Sequence, residues 1–326
     1  MEQSMRLRAY GKINLGLDVT GIREDGYHMV RMIMQSVRIY DQVTIRRTDT
    51  PGIVLHNSVP FLPTNRKNLA YRAAEILFQE AGLEDTAGVE IFIDKFLPVA
   101  AGMAGGSTDA AAVLFGVNRL FRLGYSEKKL RELGLVLGAD VPFCLMRGTV
   151  LAEGIGEVLT RLPNMPDCNI LVVKPDFPVS TRQVYTDLDA IMPKEDDHSE
   201  AAEQFRRSRG DIDGLIRAIR KNELEELLPN MGNVLEQVTV PAHPVIREIA
   251  EKMEQLGAAR AMMSGSGPTV FGIFRSKEEA ENAYRVFREE AAKEKNGARV
   301  YLTTPYAPVP NHKKRNTFHR EREVRK

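Results

Sequence analysis

The stretch Pro98-Val99-Ala100-Ala101-Gly102-Met103-Ala104-Gly105-Gly106-Ser107-Thr108-Asp109-Ala-Ala-Ala112 constrains this chain more than any other. Its glycines and alanines let backbone approach a ligand closely, because no bulky side chain intervenes. Ser107, Thr108 and Asp109 suit a helix start, and Ala-Ala-Ala-Val-Leu-Phe continues as a strong helix. A small-residue loop feeding a helix N-terminus presents unpaired N–H groups and a partial positive charge, an arrangement that suits phosphate. The same composition would also serve a loop that merely packs tightly against its neighbours. No Gly-x4-Gly-Lys-Ser/Thr pattern is present, and Gly265-Ser-Gly267 is followed by Val270 where a dinucleotide fingerprint needs a third glycine.

The 326 residues and 43% apolar content allow a large core, and the length suggests two domains. Net charge is +1, so the protein as a whole is not built electrostatically for nucleic acid. The charge is uneven. Residues 311–326 hold seven Lys/Arg against two Glu, leaving 38 basic residues against 42 acidic in the rest. That tail is expected to be a disordered, solvated terminus, with RNA or another polyanion as the alternative. The two cysteines, Cys144 and Cys168, make no disulfide framework and sit in no metal-ligand spacing, which fits a reduced cytoplasm. No secretory leader is expected, and Ser107, Thr108 and Asp109 argue against a membrane span over the apolar 98–117 stretch.

Residues 5–20 read as strand, with Ile13, Leu15 and Leu17 alternating against Asn14, Gly16 and Asp18. Ile22–His28 is turn chemistry, and Met29–Tyr40 with Val43–Arg46 resumes the strand pattern. Asn68–Ala81 has helical spacing and closes at Gly82; Val89–Ile93 is a strand; the helix after the glycine loop runs to about Leu123; Ser126 caps another. A second half begins near Met165. It contains strands at Ile170–Lys174 and Val270–Phe274, and helices at Asp211–Leu227, Pro244–Leu256 and Lys277–Lys293. The charge-rich Lys194–Arg209 reads as an exposed insertion. No internal repeat is visible, and the irregular mixture of strands and helices indicates α+β rather than a doubly wound sheet.

Two charged residues stand in unusual company. Asp140, within Leu137-Gly-Ala-Asp140-Val-Pro-Phe143, lies between small and apolar residues, so it is either paired structurally or held for chemistry. Lys12, within Ala9-Tyr-Gly-Lys12-Ile-Asn14-Leu15, interrupts a strand-like run, where a lone lysine is ordinarily solvated. In chain order, four segments resemble the GHMP kinase superfamily, which phosphorylates small-molecule hydroxyls with ATP. Lys12-Ile-Asn-Leu-Gly-Leu is similar to its first motif, and Pro98–Ala112 to its second, phosphate-binding motif. Ser264-Gly-Ser-Gly-Pro-Thr-Val-Phe is similar to its third, and Leu137–Phe143 to the segment with the catalytic aspartate. The resemblance covers about residues 5–305. Two departures stand out: the commonest second motif has glycine where Ala100 or Ala101 stands, and serine where Thr108 stands.

The resemblance implies a two-domain α+β GHMP kinase fold. An N-terminal ATP-binding domain at 1–160 would be like ribosomal protein S5 domain 2, and a ferredoxin-like C-terminal domain would span 161–310, with the basic tail at 311–326. It further implies that Asp140 takes the acceptor proton, with Lys12 beside it. The backbone of Pro98–Thr108 would hold the ATP phosphates, and Asn68 would contact the base. Asp25-Gly-Tyr-His28 points within the superfamily to the member acting on the 2-hydroxyl of a cytidylated methylerythritol, in non-mevalonate isoprenoid synthesis. Tyr27, His28, Tyr185 and Thr181 would then recognise a cytidine diphosphate moiety, and Asn14 would contact substrate or phosphate. Mg²⁺ is expected with ATP, but no acidic counterpart to the metal-binding glutamate of some relatives is found, so its ligands stay open. A small-molecule substrate, no membrane, no nucleic acid and a monomer or weak homodimer complete the expectation. The alternatives are another GHMP kinase, acting on homoserine, mevalonate or a sugar, and an RNA-binding or scaffold protein.

Overall fold

The computed structural model describes residues 3–193, 197–294 and 297–308; the basic tail lies outside them. Two long strands, β1 (Ser4–Ile22) and β2 (His28–Thr48), pair antiparallel across the Arg23–Tyr27 turn, where Gly26 takes φ 83°. Alternating apolar residues make the pair a sheet seed, and the chain completes seven strands around it. These are β3 (Gly52–Asn57), β4 (Gly88–Asp94), β5 (Thr149–Glu153), β6 (Val158–Arg161) and the two-residue β8 (Gly232–Asn233), which returns from the second half to lie parallel to β1.

Helices α1 (Leu69–Ala81), α2 (Gly105–Leu120), α3 (Glu127–Leu137) and α4 (Val141–Met146) belong to this half. Asn68 caps α1 by accepting from the Ala70 amide, Gly82 ends it at φ 63°, and Ser126 caps α3. Helix α2 is buried along most of its length. At Gly116 a Cβ would come within 2.3 Å of Ile45 Cδ1, so a larger residue would require the Ile45 side chain to move.

The second half has β7 (Asn169–Lys174), then α5 (Thr181–Ile191), α6 (Glu200–Ser208), α7 (Ile212–Lys221), α8 (Leu224–Leu227), α9 (Glu236–Ala242) and α10 (Val245–Gln255). Strands β9 (Arg260–Met263) and β10 (Val270–Phe274), helix α11 (Lys277–Glu294) and β11 (Arg299–Thr303) follow. The four strands form an antiparallel sheet in the order β11-β7-β10-β9, the ferredoxin-like order.

An apolar cluster joins the halves: Ile13, Leu15, Leu97 and Met103 pack with Ile212, Leu215, Phe271 and Tyr301. At about 1.5–3 kcal/mol per fully buried large apolar side chain, this seam holds the halves in one fixed relationship. Past β11 the chain returns to the first sheet. Pro305 bridges to Val37, the Tyr306 amide donates to the Ser36 carbonyl at 2.8 Å, and the Tyr306 ring stacks 3.9 Å from that of Tyr10.

Several expectations need correction. The simple alternation over 13–18 does not hold, because register shifts at Tyr10/Lys12 and Asn14/Gly16 turn the strand over twice. Ile13 and Leu15 therefore face the seam, whereas Leu7, Ala9, Leu17 and Val19 face the helices. With both sides covered, Lys12 is 5% exposed rather than solvated, and Asn14 is fully buried. Helix α2 starts at Gly105, so Ser107, Thr108 and Asp109 sit inside it rather than capping it, and it ends at Leu120. Asp211–Leu227 is not one helix: Asn222 takes φ 59° and separates α7 from α8. The charge-rich segment is not simply exposed. Residues 194–196 lie outside the described residues, but α6 buries Ala202 and Phe205, and Arg209 grips Asp18 through two hydrogen bonds of 2.6 and 2.8 Å.

Candidate active site

The two register shifts of β1 flank Lys12-Ile13-Asn14 and aim its polar side chains away from the seam. Lys12 Nζ donates to Asn14 Oδ1 at 2.6 Å, and Asn14 Nδ2 donates to Met32 Sδ at 3.3 Å. The Asn14 amide donates to Ser264 Oγ at 3.3 Å, joining β1 to the Ser264–Thr269 turn of the second half. That turn closes by a 2.8 Å bond from the Ser264 amide to the Thr269 carbonyl. Asn233 secures it from β8, donating to the Met263 and Gly265 carbonyls at 3.0 and 2.8 Å.

The glycine loop meets the same turn. The Lys12 amide donates to the Met103 carbonyl at 3.2 Å, and Ser264 Oγ donates to the Gly102 carbonyl at 3.4 Å. Gly102 takes φ 68°, and a Cβ there would fall 2.4 Å from the Ser264 carbonyl oxygen. Pro98, Ala101 and Met103 are buried, while Val99, Ala100 and Gly106 face solvent. Ala100 and Ala104 adopt φ 52° and 57°, a conformation in which glycine is unstrained. Ala104 caps α2 without a side-chain bond, so the amides opening that helix are left for an anion. Thr108 is turned inward, its hydroxyl donating to the Tyr10 carbonyl at 2.8 Å.

Asp140 precedes α4 at its N-terminus, partly buried, and among the described residues its carboxylate has no hydrogen-bond or ion-pair partner. Its neighbours are felt electrostatically. Burial pushes the Cys144 thiol up, Asp140 adds to that rise and Lys12 opposes it, which places both charges around one buried sulfur. Burial likewise pushes the Tyr185 phenol up to about 12, with Asp140 again contributing. Cys144 and Tyr185 therefore stay protonated near neutrality.

The two halves meet again around Tyr185 and His28. Tyr185, on α5, packs its ring 4.6 Å from that of His28, whose Nε2 lies 2.7 Å from Asp189 Oδ1. Thr181 opens α5, its hydroxyl 2.8 Å from Ser266 Oγ. Tyr27 stands 60% exposed at the end of the β1–β2 turn. Asn68 also caps α1: Oδ1 accepts from the Ala70 amide, and Nδ2 donates to the Pro63 carbonyl at 2.8 Å, leaving one donor and one acceptor site on the amide.

Sequence reasoning missed the support beneath the loop. Lys95 bonds both Asp41 and Asp109, the latter at 2.9 Å, and Asp41 also accepts the Phe96 and Leu97 amides at 2.6 and 2.7 Å. Two buried carboxylates share one lysine. Burial pushes Asp109 up to about 8 against the pull of Lys95, and Asp109 Oδ1 is buried without a partner. Asn233 and Asp189 also went unseen, because each acts through partners remote in the chain. Phe96, 58% exposed, stands two positions before the loop and offers apolar surface there.

Residues 68–148 match the GHMP kinases N terminal domain, and residues 215–293 match the GHMP kinases C terminal domain. The 4-diphosphocytidyl-2-C-methyl-D-erythritol kinase of Lachnospira eligens is 48% identical over 94% of this chain and 100% of its own length. The kinase of the same name from Alkaliphilus oremlandii is 50% identical over 85% of this chain and 90% of its own. A solved 4-(cytidine 5'-diphospho)-2C-methyl-D-erythritol kinase superposes with a TM-score of 0.73 at 31% identity, covering 93% of this chain and 100% of that one. Homoserine kinase from Cytophaga hutchinsonii reaches the same TM-score at 21% identity over 94% and 96%, a likeness of fold alone.

Proposed function

The chain belongs to the 4-diphosphocytidyl-2-C-methyl-D-erythritol kinase family of GHMP kinases, and we infer from its site how it transfers phosphate from ATP to the 2-hydroxyl of that substrate in non-mevalonate isoprenoid synthesis. One observation carries the reading. The glycine loop, Lys12, Asn14 and the Ser264 turn are hydrogen-bonded into one unit, with unpaired Asp140 and the His28–Tyr185 ring pair close by.

Phosphoryl transfer needs an aligned acceptor oxygen and stabilisation of the charge spread over the transferring group. The opening amides of α2 and the Pro98–Thr108 backbone receive the ATP phosphates, while the Ser264–Thr269 turn closes on the loop from behind. Exposed Phe96 offers the purine an apolar face, and Asn68, before α1, contacts the base. Asp140 accepts the proton of the acceptor hydroxyl. Lys12, fixed by Asn14, supplies the positive charge that favours the developing alkoxide. A tertiary alcohol is a weak acid, so positioning contributes heavily. Tyr27 and Tyr185 provide faces for the cytosine ring, His28 an edge, and Thr181 a hydroxyl.

Mg²⁺ is the ion proposed to travel with ATP. The described residues do not form a cage for it: none of them cluster in threes as His, Cys, Asp or Glu ligands, and Asp109 is committed to Lys95. Phosphate oxygens and water are left as its ligands, and no step above passes through it.

Residues 1–160 and 161–310 are proposed as the two domains, the second lending the short β8 to the first sheet. A monomer or weak homodimer completes the reading, and two unpaired cysteines support a cytoplasmic setting. No helix among the described residues is long and apolar enough to cross a membrane.

The test is ADP release with ATP and Mg²⁺ on cytidylated methylerythritol, methylerythritol phosphate, mevalonate and homoserine, with Asp140→Asn as control. Turnover confined to the cytidylated compound and lost in the control is expected. Turnover on mevalonate or homoserine would refute the cytidine site while keeping the mechanism.

A further inference from the structure

His28 and Asp189 lie 161 positions apart and on opposite halves, yet His28 Nε2 and Asp189 Oδ1 meet at 2.7 Å. The His28 side chain is 15% exposed and that of Asp189 38%. An ionised carboxylate only accepts hydrogen bonds, so Nε2 must carry the hydrogen. In the neutral ring Nδ1 is then the bare, accepting nitrogen. Tyr185 stands one turn before Asp189 on α5, on the same face, and packs its ring against the same imidazole. One helix thus supplies both an aromatic surface beside the ring and the carboxylate that sets the ring's hydrogen.

Resting on the function proposed above, we propose that Asp189 is a specificity-determining positioning residue. It holds His28 in the Nε2–H tautomer, so that Nδ1 offers an acceptor to the 4-amino group of cytosine. Uracil carries a carbonyl oxygen where cytosine carries that amine. Against a bare Nδ1 it would set two lone pairs face to face, forfeiting the hydrogen bond that cytosine makes. A side chain that need not touch the substrate thereby decides between two bases of nearly identical shape.

The full-length wild type, Asp189→Ala and Asp189→Glu are compared with ATP on the cytidine substrate and its uridine counterpart. Alongside, ¹⁵N NMR of the His28 ring reports which nitrogen bears hydrogen. The wild type is expected to prefer cytidine and to show hydrogen on Nε2. Asp189→Ala is expected to raise KM for the cytidine substrate more than it lowers kcat, to cut the base preference about five- to tenfold, and to mix the tautomers. Asp189→Glu should recover part of the preference and of the tautomer, which a merely structural role would not predict. An unchanged base preference in Asp189→Ala overturns the proposal, as does an unmixed Nε2–H ring in that variant. A wild type that turns over neither substrate overturns the underlying function and this inference together, and is told apart by the missing turnover itself.

Discussion

Lys12 and Asn14 stand two positions apart on one strand, and their side chains meet at 2.6 Å inside the protein. A buried ammonium held by a neutral amide keeps its charge uncommitted, unlike Lys95, which is surrounded by carboxylates. Lys12→Met is therefore expected to lower kcat by about 10²–10⁴-fold, the range for a positioned acid–base group. ATP affinity should change little, because the loop backbone is the proposed phosphate site. Steady-state ADP release together with ATP titration calorimetry checks this, and Asp140→Asn should show the same split.

Tyr27 is solvent-facing in the free protein, so losing its ring costs the fold little. Tyr27→Ala should raise KM for the cytidylated substrate by on the order of tenfold, within the 1–3 kcal/mol of an aromatic–base stack, with kcat less affected. An unchanged KM in initial-rate measurements would remove Tyr27 from the base site.

The loop carries its own pair of opposite tests. Gly102→Ala drives a methyl against the Ser264 carbonyl at a left-handed φ, and should cost about 1–3 kcal/mol of stability and weaken ATP binding. Ala104→Gly relieves a left-handed alanine and should stabilise by about 0.5–1 kcal/mol after the entropy of the unfolded chain is counted. Urea denaturation of both variants gives the two signs directly.

Asp109 provides a pH signature. Its folded pKa, about 8, lies above the value an unfolded chain would give it, so the folded state holds a proton that the unfolded state releases. Unfolding therefore becomes easier as pH rises from about 4 towards 8. Asp109→Asn keeps the shape, removes the surplus carboxylate and leaves Lys95 paired with Asp41. It should flatten that decline and stabilise the protein at pH 8 by about 1–2 kcal/mol. Thermal unfolding across pH 5–8 reads the difference.

Much of the fold was legible where a local rule governs. Asn68, Gly82 and Ser126 mark helix ends through their own side chains or φ angles, and the strand patterns of β4, β7 and β10 are short and apolar. Helix α2 was legible in kind but not in its start, because an alanine at φ 57° opens it and no cap rule anticipates that. The burial of Lys12 was hidden because what covers β1 arrives from Ile212, Leu215 and Ser264, some two hundred residues later. Family resemblance named Lys12, Asp140 and Tyr185, but not the contacts that hold the site. Asp41 with Lys95, Asn233 with Gly265, and His28 with Asp189 are each polar pairs too widely separated in the chain for spacing to reveal.

The return of Pro305 and Tyr306 to the first sheet bears on how the chain is made. Strand β2 gains its last partner at Val37, and Tyr10 its stacked ring, only once residue 306 has been synthesised. The Asn14–Ser264 bond likewise waits for the third motif. During translation the N-terminal sheet therefore emerges with part of β2 and the seam face of β1 uncovered, a surface that chaperones recognise. Ribosome-stalled lengths ending before and after residue 306 should differ sharply in protease resistance near Val37.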